Sequence, residues 1–405
     1  MMNFDFTEEQ ELLRNTVRSF VDKEIMPYIK EWDEKQHFET SILTRLADLG
    51  LMGVCIPEQY GGSGMDYNSL AIVCEELERG DMAFRTAVSV HTGLNSMTLL
   101  QWGTEEQKQK YLVPQSKGQK VGAFGLTEPN AGSDVAAMQT TARDAGDHYV
   151  LNGSKTWISI CDAADHFLVF AYTDKSKKHH GISAFIVERT WEGFSSKAIK
   201  GKLGIRAGNT GEIFFDNVKV PKENLLGQEG DGFKIAMSAL DNGRFTVAAG
   251  ACGTIMASLE ASVKYCHERS TFGKEIGRHQ LVQQMIAKME AGLVQSRLLV
   301  YRAGCLKNQG KRNTRETSLA KWQACDYAYE AANDAVQIHG AYGFSNEYPV
   351  ERYLRNAKAP VIYEGTREIH TVMQGEYVLG YRVDKPLSNM LPAWPFESVT
   401  EEAVK

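Results

Sequence analysis

Apolar residues in the first hundred positions recur every three or four residues, which is the period of helices that bury one face. Thr7 and Gln10 have the spacing of a capping box, so we predict a first helix that starts at about residue 8. The same period predicts a second helix that ends near Gly50, a third over 67–80 and a fourth over 85–102. The chain is therefore expected to begin with a helical domain.

The period changes near Lys120, where short apolar runs of strand-forming residues replace the long helical ones. These runs continue to about residue 228. The pairs Asn152-Gly153 and Asp216-Asn217 carry residues typical of tight turns, so we predict that each pair joins two strands. The middle third of the chain is thus predicted to be a β domain.

Helical periods return in the last part of the chain, over 233–269, 277–307 and 314–337, with a final helix after Gly365. Helices followed by strands and again by helices predict a multidomain protein of the α+β class. The predicted divisions are an amino-terminal α-helical domain over 1–120, a central β domain over 121–230 and a carboxy-terminal α-helical bundle over 231–405.

Composition and charge narrow the possible partners of this chain. Acidic and basic residues are mixed throughout its 405 positions and leave a net charge of -6, so no basic stripe is available for nucleic acid. No apolar run approaches the roughly 18 residues of a membrane span, and the first ten residues do not look like a targeting signal. Seven widely spaced cysteines without a C-x-x-C pair are typical of reduced thiols. We expect a soluble, cytoplasmic protein.

Several common catalytic and cofactor motifs are missing from the sequence. It has no phosphate-binding G-x-x-x-x-G-K-[ST] loop and no G-x-G-x-x-G after a strand. It also lacks an H-E-x-x-H segment and a cysteine cluster, so no metal site is predicted. A nucleotide cofactor, if present, is therefore expected to be held in another way.

Five short segments together resemble the acyl-CoA dehydrogenase family, and the resemblance extends from the first helix to about residue 380. They are LTEPNAGSD at 126–134, KTWIS at 155–159, ERSTFG at 268–273, QIHG at 337–340 and YEGT at 363–366. The resemblance implies the same order of domains, one FAD in each subunit and a homotetramer. It also implies an acyl-CoA substrate and transfer of electrons to an electron-transferring flavoprotein.

The resemblance assigns flavin contacts to two of these segments. Thr127 and Ser159 would hydrogen-bond the flavin ring, Trp157 would pack against it, and Thr366 would also contact the cofactor. A flavin that accepts hydride gains negative charge, so donors near its nitrogens favour the reaction and an aromatic wall excludes water. Taken alone, Trp157 would be interpreted as a core aromatic and Thr127 as a turn residue.

Contacts to the nucleotide end of FAD are implied for the next two segments. Arg269 and Phe272 match the segment that reaches the FAD of a neighbouring subunit, where a planar, permanently charged guanidinium suits a pyrophosphate. Gln337 and Gly340 match the loop at the adenosine end. Ala341 departs from the pattern of the family, in which a second glycine often stands at this position.

The resemblance makes Glu364 the catalytic base and places Tyr363 beside the substrate. A thioester α-proton is weakly acidic, so the reaction needs a carboxylate aimed at that carbon. Burial beside the acyl chain should raise the pKa of Glu364. An isolated Y-E-G-T segment would instead favour a surface glutamate at a glycine turn. Some members carry the base at a position that matches Gly243, and glycine cannot serve as a base.

Three further residues would bind the coenzyme A arm of the substrate. Asp241 and Arg244 match an L-D-x-x-R segment that holds the pantetheine, and Ser133 matches a residue near the same arm. The alternative for Asp241 and Arg244 is an intrahelical ion pair that contributes a few tenths of a kcal/mol, roughly.

The segment 78–90 resembles the glutaryl-CoA dehydrogenase branch, in which an arginine at the position of Arg85 meets the distal carboxylate of the substrate. Glu78 and Ser89 match residues that support this arginine. A buried carboxylate needs a fixed cation, and arginine offers a bidentate match. The alternative is that Arg85 lies on a helix surface and pairs with Asp81 or Glu78.

The same branch includes enzymes for substituted dicarboxylyl thioesters such as benzylsuccinyl-CoA, and the sequence does not decide whether carbon dioxide is released. Three alternatives remain open at this point. The chain could be a short- or branched-chain acyl-CoA dehydrogenase without carboxylate recognition, or a non-enzymatic flavin-binding member, which would need a basic face if it met DNA. It could also be an oxidase, although oxidases usually carry a further carboxy-terminal domain.

Overall fold

The computed structural model describes residues 5–384 and 386–397 and confirms the α+β fold with helices on both sides of a central sheet domain. Between α1 and Gly50 it has two short helices where one was predicted. The amino-terminal helices are α1 (Glu8–Glu24), α2 (Ile29–Lys35), α3 (Ser41–Asp48), α4 (Tyr67–Gly80), α5 (Met82–Val88), α6 (Met97–Trp102), α7 (Glu105–Gln107) and α8 (Val113–Ser116).

The predicted capping box starts helix α1. The backbone N–H of Gln10 donates to Thr7 Oγ1 at 3.2 Å, and the backbone N–H of Thr7 donates to Gln10 Oε1 at 3.1 Å. The predicted helix over 85–102 begins three residues earlier, where Asp81 Oδ1 caps the N–H of Ala83 at 2.8 Å. Its middle, Ser89–Ser96, is a π-helix, a form that often occurs at functional sites.

Eight strands form one mixed sheet in the middle of the chain. The strands are β1 (Gly122–Gly125), β2 (Thr141–Asp144), β3 (His148–Ser159), β4 (His166–Tyr172), β5 (Ile182–Glu188), β6 (Phe194–Ala198), β7 (Thr210–Pro221) and β8 (Leu225–Leu226). Their order in the sheet is β6-β7-β3-β2-β4-β5-β8, with β1 paired in parallel to β4.

Asn152-Gly153 and Asp216-Asn217 do not join strands, so the prediction of two turns was wrong. The pairs lie inside β3 and β7, where the register between the two strands shifts. Gly153 and Asn217 have positive φ angles of 140° and 53°, and the N–H of Asn217 donates to Asn152 Oδ1 at 2.9 Å. These residues adopt the positive φ angles that the turn signal indicated. The angles belong to a β-bulge within the two strands and not to a turn between strands.

The carboxy-terminal bundle is built around the 37-residue helix α9. This helix has the length and apolar composition of a membrane span, but 78% of its most apolar stretch is buried inside the protein. The short helix α12 was not predicted. The elements are α9 (Gly232–Glu268), β9 (Ser270–Thr271), β10 (Lys274–Glu275), α10 (Gln280–Asn308), α11 (Thr314–His339), α12 (Val350–Ala357) and α13 (Arg367–Leu379).

The segment 386–397 returns from the bundle to the amino-terminal domain. Leu391 and Phe396 pack against the hydrophobic core, so the segment covers apolar surface as well as polar groups. Trp394 donates from Nε1 to Gly64 O at 3.0 Å and from its backbone N–H to Asn308 O at 2.8 Å. Two carbonyls of the segment accept hydrogen bonds: Pro392 O from Tyr67 Oη at 2.9 Å and Asn389 O from Gln101 Nε2 at 2.8 Å.

Two buried histidines lie where the amino-terminal helices meet the sheet. His91 Nδ1 accepts from the N–H of Gly122 at 3.2 Å, so its Nε2 carries the proton and donates to Gln115 O at 3.2 Å. His166 Nε2 donates to Gln115 Oε1 at 2.8 Å. Burial lowers the pKa of His91 to about 4 and that of His166 to about 3.

We expect these histidines to make the protein sensitive to mild acid. The unfolded chain takes up protons at both histidines below about pH 6.5, whereas the folded protein does not until about pH 4. Stability should therefore fall with pH below 6.5, by up to about 1.4 kcal/mol per pH unit for each group. The check is the thermal unfolding midpoint between pH 8 and 5. His166→Gln should flatten this dependence, because it removes one of the two buried histidines.

Candidate active site

Glu364 lies on the loop between α12 and α13 in a strained backbone conformation. Its φ angle is 54°, and Gly365 follows with a φ of 94°. Thr366 then caps helix α13 by accepting from the N–H of Ile369 at 3.3 Å. Strain of this kind persists only where the surrounding structure enforces it, and it clusters at functional sites.

The carboxylate of Glu364 points into the protein. Its Oε2 is buried and has no hydrogen-bond partner, although the residue as a whole is half-buried. A Cβ built on Gly243 would overlap this oxygen, so the two positions that can carry the base in the family converge on one point. The alternative of a surface glutamate at a glycine turn does not hold for this atom.

Burial raises the pKa of Glu364 to about 7, while the nearby cations Arg85, Lys321 and Arg244 act in the opposite direction. A carboxyl with this pKa is a stronger base than an exposed glutamate and still ionises near neutral pH. Its oxygen without a partner is free to take up a proton.

The peptide groups around Glu364 are held by two cations from neighbouring helices. Arg244 Nε, on α9, donates to Glu364 O at 3.1 Å, and Lys321 Nζ, on α11, donates to Gly365 O at 2.6 Å. Lys321 was not among the site residues predicted from the sequence. The available signal was a lysine in the buried stripe of α11, between Thr317 and Cys325.

Asp241 and Arg244 form the predicted alternative, an intrahelical pair, with Arg244 Nη1 at 3.2 Å from Asp241 Oδ1. The pair has further bonds, because Asp241 Oδ2 accepts from Thr314 Oγ1 at 2.5 Å and Arg244 reaches the base loop. Ser133 is exposed on the loop after β1. Pantetheine binding by these residues stays a prediction.

Arg85 is buried, with 1% of its surface exposed, so it does not lie on a helix surface. Its Nε pairs with Glu78, as one alternative supposed, but inside the protein. Its Nη2 donates to Tyr363 Oη at 2.6 Å, which links this cation to the residue before the base. Asp81, the other partner considered, pairs with Arg352 at 3.2 Å.

The residues around Arg85 hold its ion pair with Glu78 and leave room for it. Thr254 Oγ1 donates to the second oxygen of Glu78 at 2.7 Å. A Cβ on Gly250 would overlap the Glu78 carboxylate, so α9 provides room by having a glycine there. Ser89 is buried and its hydroxyl bonds that of Thr246 rather than Arg85.

Trp157 stands uncovered at the end of β3, with 61% of its surface exposed and a φ of 60°. The N–H of Thr156 donates to Thr127 O at 2.9 Å, which brings Thr127 beside the tryptophan, and Ser159 follows in the same strand. An exposed indole between half-buried hydroxyl side chains fits a flat, polar-edged ring such as a flavin.

A buried ion pair joins the two segments of this platform. Lys155 Nζ donates to Leu126 O at 3.1 Å and to Glu128 Oε1 at 2.8 Å. Glu128 Oε1 also accepts from the N–H of Thr140 at 3.0 Å. Thr127 and Trp157 are therefore presented from a rigid base.

The residues assigned to the nucleotide end of FAD face outward. Phe272 is 96% exposed with a φ of 51°, and Arg269 and Gln337 are exposed as well. Gly340 has a φ of 60° and nothing within 4 Å of the position of a Cβ. Their assignment to the nucleotide end of FAD, with Arg269 and Phe272 reaching the cofactor of a neighbouring subunit, stays a prediction.

Among the described residues, no group of three or more histidine, cysteine, aspartate or glutamate side chains could hold a metal ion. All seven cysteines are free. The groups that the structure does bring to the site are the carboxylate of Glu364, the cations Arg85, Arg244 and Lys321, and the uncovered ring of Trp157.

A buried carboxylate with a raised pKa and an uncovered aromatic ring are two features expected of a flavin-dependent dehydrogenase that acts on weak carbon acids. Three family models match the chain: the N-terminal domain of acyl-CoA dehydrogenase at 7–119, the middle domain at 123–218 and the C-terminal domain at 230–379. The protein belongs to the acyl-CoA dehydrogenase family and is an FAD-dependent acyl-CoA dehydrogenase.

Two curated relatives are equally similar to it. Glutaryl-CoA dehydrogenase from Desulfococcus multivorans is 44% identical over 386 residues, which is 94% of this chain and 99% of the relative. The short-chain-specific acyl-CoA dehydrogenase from Clostridium acetobutylicum is 44% identical over 372 residues, which is 92% and 98%. The similarity defines the reaction class but not the acyl group.

Three solved structures are similar to more than nine tenths of this chain. A glutaryl-CoA dehydrogenase in complex with glutaryl-CoA has a TM-score of 0.91 at 43% identity and covers 94% of this chain and 98% of its own. A structure described as the electron transferring flavoprotein of Acidaminococcus fermentans has a TM-score of 0.90 at 44% identity, over 93% and 100%. An acyl-CoA dehydrogenase from Bacillus anthracis, complexed with FAD, has a TM-score of 0.88 at 34% identity, over 94% and 68%.

Proposed function

We propose that this acyl-CoA dehydrogenase oxidises a thioester with a distal carboxylate, either glutaryl-CoA or a substituted succinyl-CoA such as benzylsuccinyl-CoA. The observation that carries the proposal is the buried guanidinium of Arg85, which is hydrogen-bonded to Tyr363 beside the base. A pocket for a plain fatty acyl chain gains nothing from a buried cation, because burial of charge is costly unless a partner is supplied.

Glu78 neutralises Arg85 in the free protein without exhausting its donors. Arg85 bonds Glu78 through Nε and Tyr363 through Nη2. A guanidinium has five N–H groups in a planar fork, so further donors remain for a substrate carboxylate. Because Glu78 is itself fixed by Thr254, the fork is held in one orientation.

The proposed reaction begins at Glu364, whose free oxygen takes the proton from the carbon next to the thioester carbonyl. FAD would supply the acceptor for the hydride of the adjacent carbon. Thr127, Trp157 and Ser159 would hold its ring, and the strained loop holds Glu364 in a fixed backbone conformation. Burial of the carboxylate oxygen keeps water away from it. The proton that Glu364 takes up therefore comes from the substrate.

A second substrate class is supported by the comparisons. The short-chain relative is as similar as the glutaryl-CoA relative, and a butyryl-CoA dehydrogenase from Megasphaera elsdenii has a TM-score of 0.92. For a short-chain substrate, Arg85 and Glu78 would be only a structural ion pair. The position of Tyr363 between Arg85 and the base favours the carboxylate substrate.

We also propose that a homotetramer in the cytoplasm passes electrons to an electron-transferring flavoprotein. The structural neighbour described by that name supports the acceptor. Exposed Phe272 and the uncovered apolar end of α13, with Val378 and Leu379, support assembly with further subunits. An oxidase would instead form peroxide without an acceptor, and a non-enzymatic member would not need a free buried carboxylate.

The experiment that tests the substrate is anaerobic bleaching of the bound flavin by glutaryl-CoA, benzylsuccinyl-CoA and butyryl-CoA. We expect the purified protein to be yellow and a dicarboxylyl thioester to bleach it with the highest kcat/KM. Product analysis of the same samples would show whether carbon dioxide is released. If butyryl-CoA proves the best substrate, the carboxylate proposal is wrong and the short-chain assignment takes its place.

A further inference from the structure

The loop that carries Glu364 is fixed from two sides by buried cations. Arg244 of α9 holds the Glu364 carbonyl at 3.1 Å, and Lys321 of α11 holds the next carbonyl, that of Gly365, at 2.6 Å. Two adjacent peptide groups are thus tied to two different helices. The strained φ of Glu364 lies directly at this double attachment.

Burying the charged side chain of Lys321 costs free energy of folding. Its surface is 1% exposed, and among the described residues it forms no ion pair with a carboxylate within 4 Å. Burial lowers its pKa, since a buried ammonium loses its hydration. An apolar side chain of similar length would fill the same space but would leave the Gly365 carbonyl without this donor, so the lysine serves the peptide group next to the base.

The charges around the loop point to a function for this lysine. Lys321, Arg244 and Arg85 all favour the ionised form of Glu364. Burial, Lys321 and Arg244 lower the pKa of His370 on α13 and keep its ring neutral. The Nδ1 atom of this ring is 2.9 Å from Ser318 Oγ, within hydrogen-bond distance. Cys325 and Asp326 lie near Lys321 on its own helix and favour its charged form.

We propose that Lys321 is a positioning residue for the catalytic base: it anchors the Gly365 carbonyl, keeps Glu364 aimed at the substrate and favours its carboxylate form. The proposal rests on Glu364 as the base. Lys321 touches neither substrate nor cofactor in this scheme. It acts through the peptide group next to Glu364 and through its charge.

Two substitutions separate the anchor from the charge. Lys321→Met removes both and keeps the apolar stem, whereas Lys321→Gln removes the charge and keeps an N–H donor. With Met we expect kcat to fall about 10- to 100-fold, since a small misplacement of a reacting group can cost about 10²-fold. KM should change much less. Lys321→Arg should restore most of kcat, because it retains charge and donors.

The pH profile of kcat/KM distinguishes positioning from loss of stability. Glu364 must be ionised to act, so activity should rise as the pH increases through its pKa of about 7. Both neutral variants lose a cation that lowers this pKa, so their acid limbs should move to higher pH. Lys321→Arg should keep the limb of the parent protein.

Lys307 provides a matched control. It is a buried lysine on α10 that bonds Asn242 Oδ1 at 2.7 Å and does not contact the base loop. Lys307→Met should lower the thermal midpoint without moving the acid limb. An unmoved limb and an unchanged kcat in Lys321→Met would overturn the proposal, as would an equal shift in Lys307→Met.

Folding and base identity are separated by further measurements. The flavin absorbance per protein subunit reports whether a variant is folded with its cofactor. If Lys321→Met and Lys321→Gln both fail to fold, the proposal is tested with Lys321→Arg. In that case, a parent-like acid limb and kcat in Lys321→Arg would support the proposal, and a loss of both would contradict it. If Glu364→Gln keeps full activity, the base assignment itself is wrong, independently of Lys321.

Discussion

Glu364→Gln should retain bound flavin and lose about 10²–10⁴-fold in kcat, the usual contribution of a positioned general base. Glutamine has the same shape but cannot take a proton from carbon. Because the Glu364 side chain has no hydrogen-bond partner at Oε2, the amide breaks no existing bond at that atom. The measurement combines the absorbance spectrum with the rate of anaerobic flavin reduction by the best thioester of the panel.

A control for this substitution is available on the helix that follows the base. Glu368→Gln changes an exposed glutamate in the first turn of α13, four residues after Glu364. It should leave the rate of flavin reduction close to that of the parent protein. Unimpaired reduction in Glu364→Gln would assign the proton abstraction to another group.

Arg85→Met should weaken activity on dicarboxylyl thioesters selectively. Removing one partner of a buried, hydrogen-bonded charge pair costs about 2–5 kcal/mol, or roughly 30- to 4,000-fold in kcat/KM. Butyryl-CoA has no distal charge, so its kcat/KM should change far less. The decisive quantity is the ratio of kcat/KM for glutaryl-CoA or benzylsuccinyl-CoA to that for butyryl-CoA.

Stability has to be separated from recognition in this experiment, because Arg85→Met leaves Glu78 buried without its cation. The double variant Glu78→Gln with Arg85→Met removes both charges and should recover much of the lost thermal midpoint. Its selectivity for dicarboxylyl substrates should stay low. Equal losses on all three thioesters would instead indicate that Arg85 serves the fold alone.

Much of the fold could be predicted because the periods of long helices are strong signals. The helix over 67–80 was predicted with the bounds that the structure has, and the capping box at Thr7 fixed the start of α1. The β-bulges were missed because glycine and asparagine report only that an unusual φ is needed. Whether a turn or a bulge uses it depends on the partner strand, which lies 65 residues away for Asn152 and Asn217.

The candidate site was predicted where contiguous motifs carry it, as with Glu364 and Trp157. Residues that act across the fold were harder to find. Lys321 meets Gly365 only because α11 packs beside the base loop, and Thr254 supports Glu78 from a helix 176 positions later. The burial of Arg85 could be argued from chemistry, but its bond to Tyr363 depends on tertiary packing.

The returning segment 386–397 has a practical consequence for cloning. The match to the C-terminal family model ends at residue 379, so a protein shortened to that boundary would lack the segment. The apolar seat of Leu391 and Phe396 would then be open to water, and Tyr67 and Gln101 would lose their carbonyl acceptors. A protein prepared for study should therefore include the residues up to at least 397.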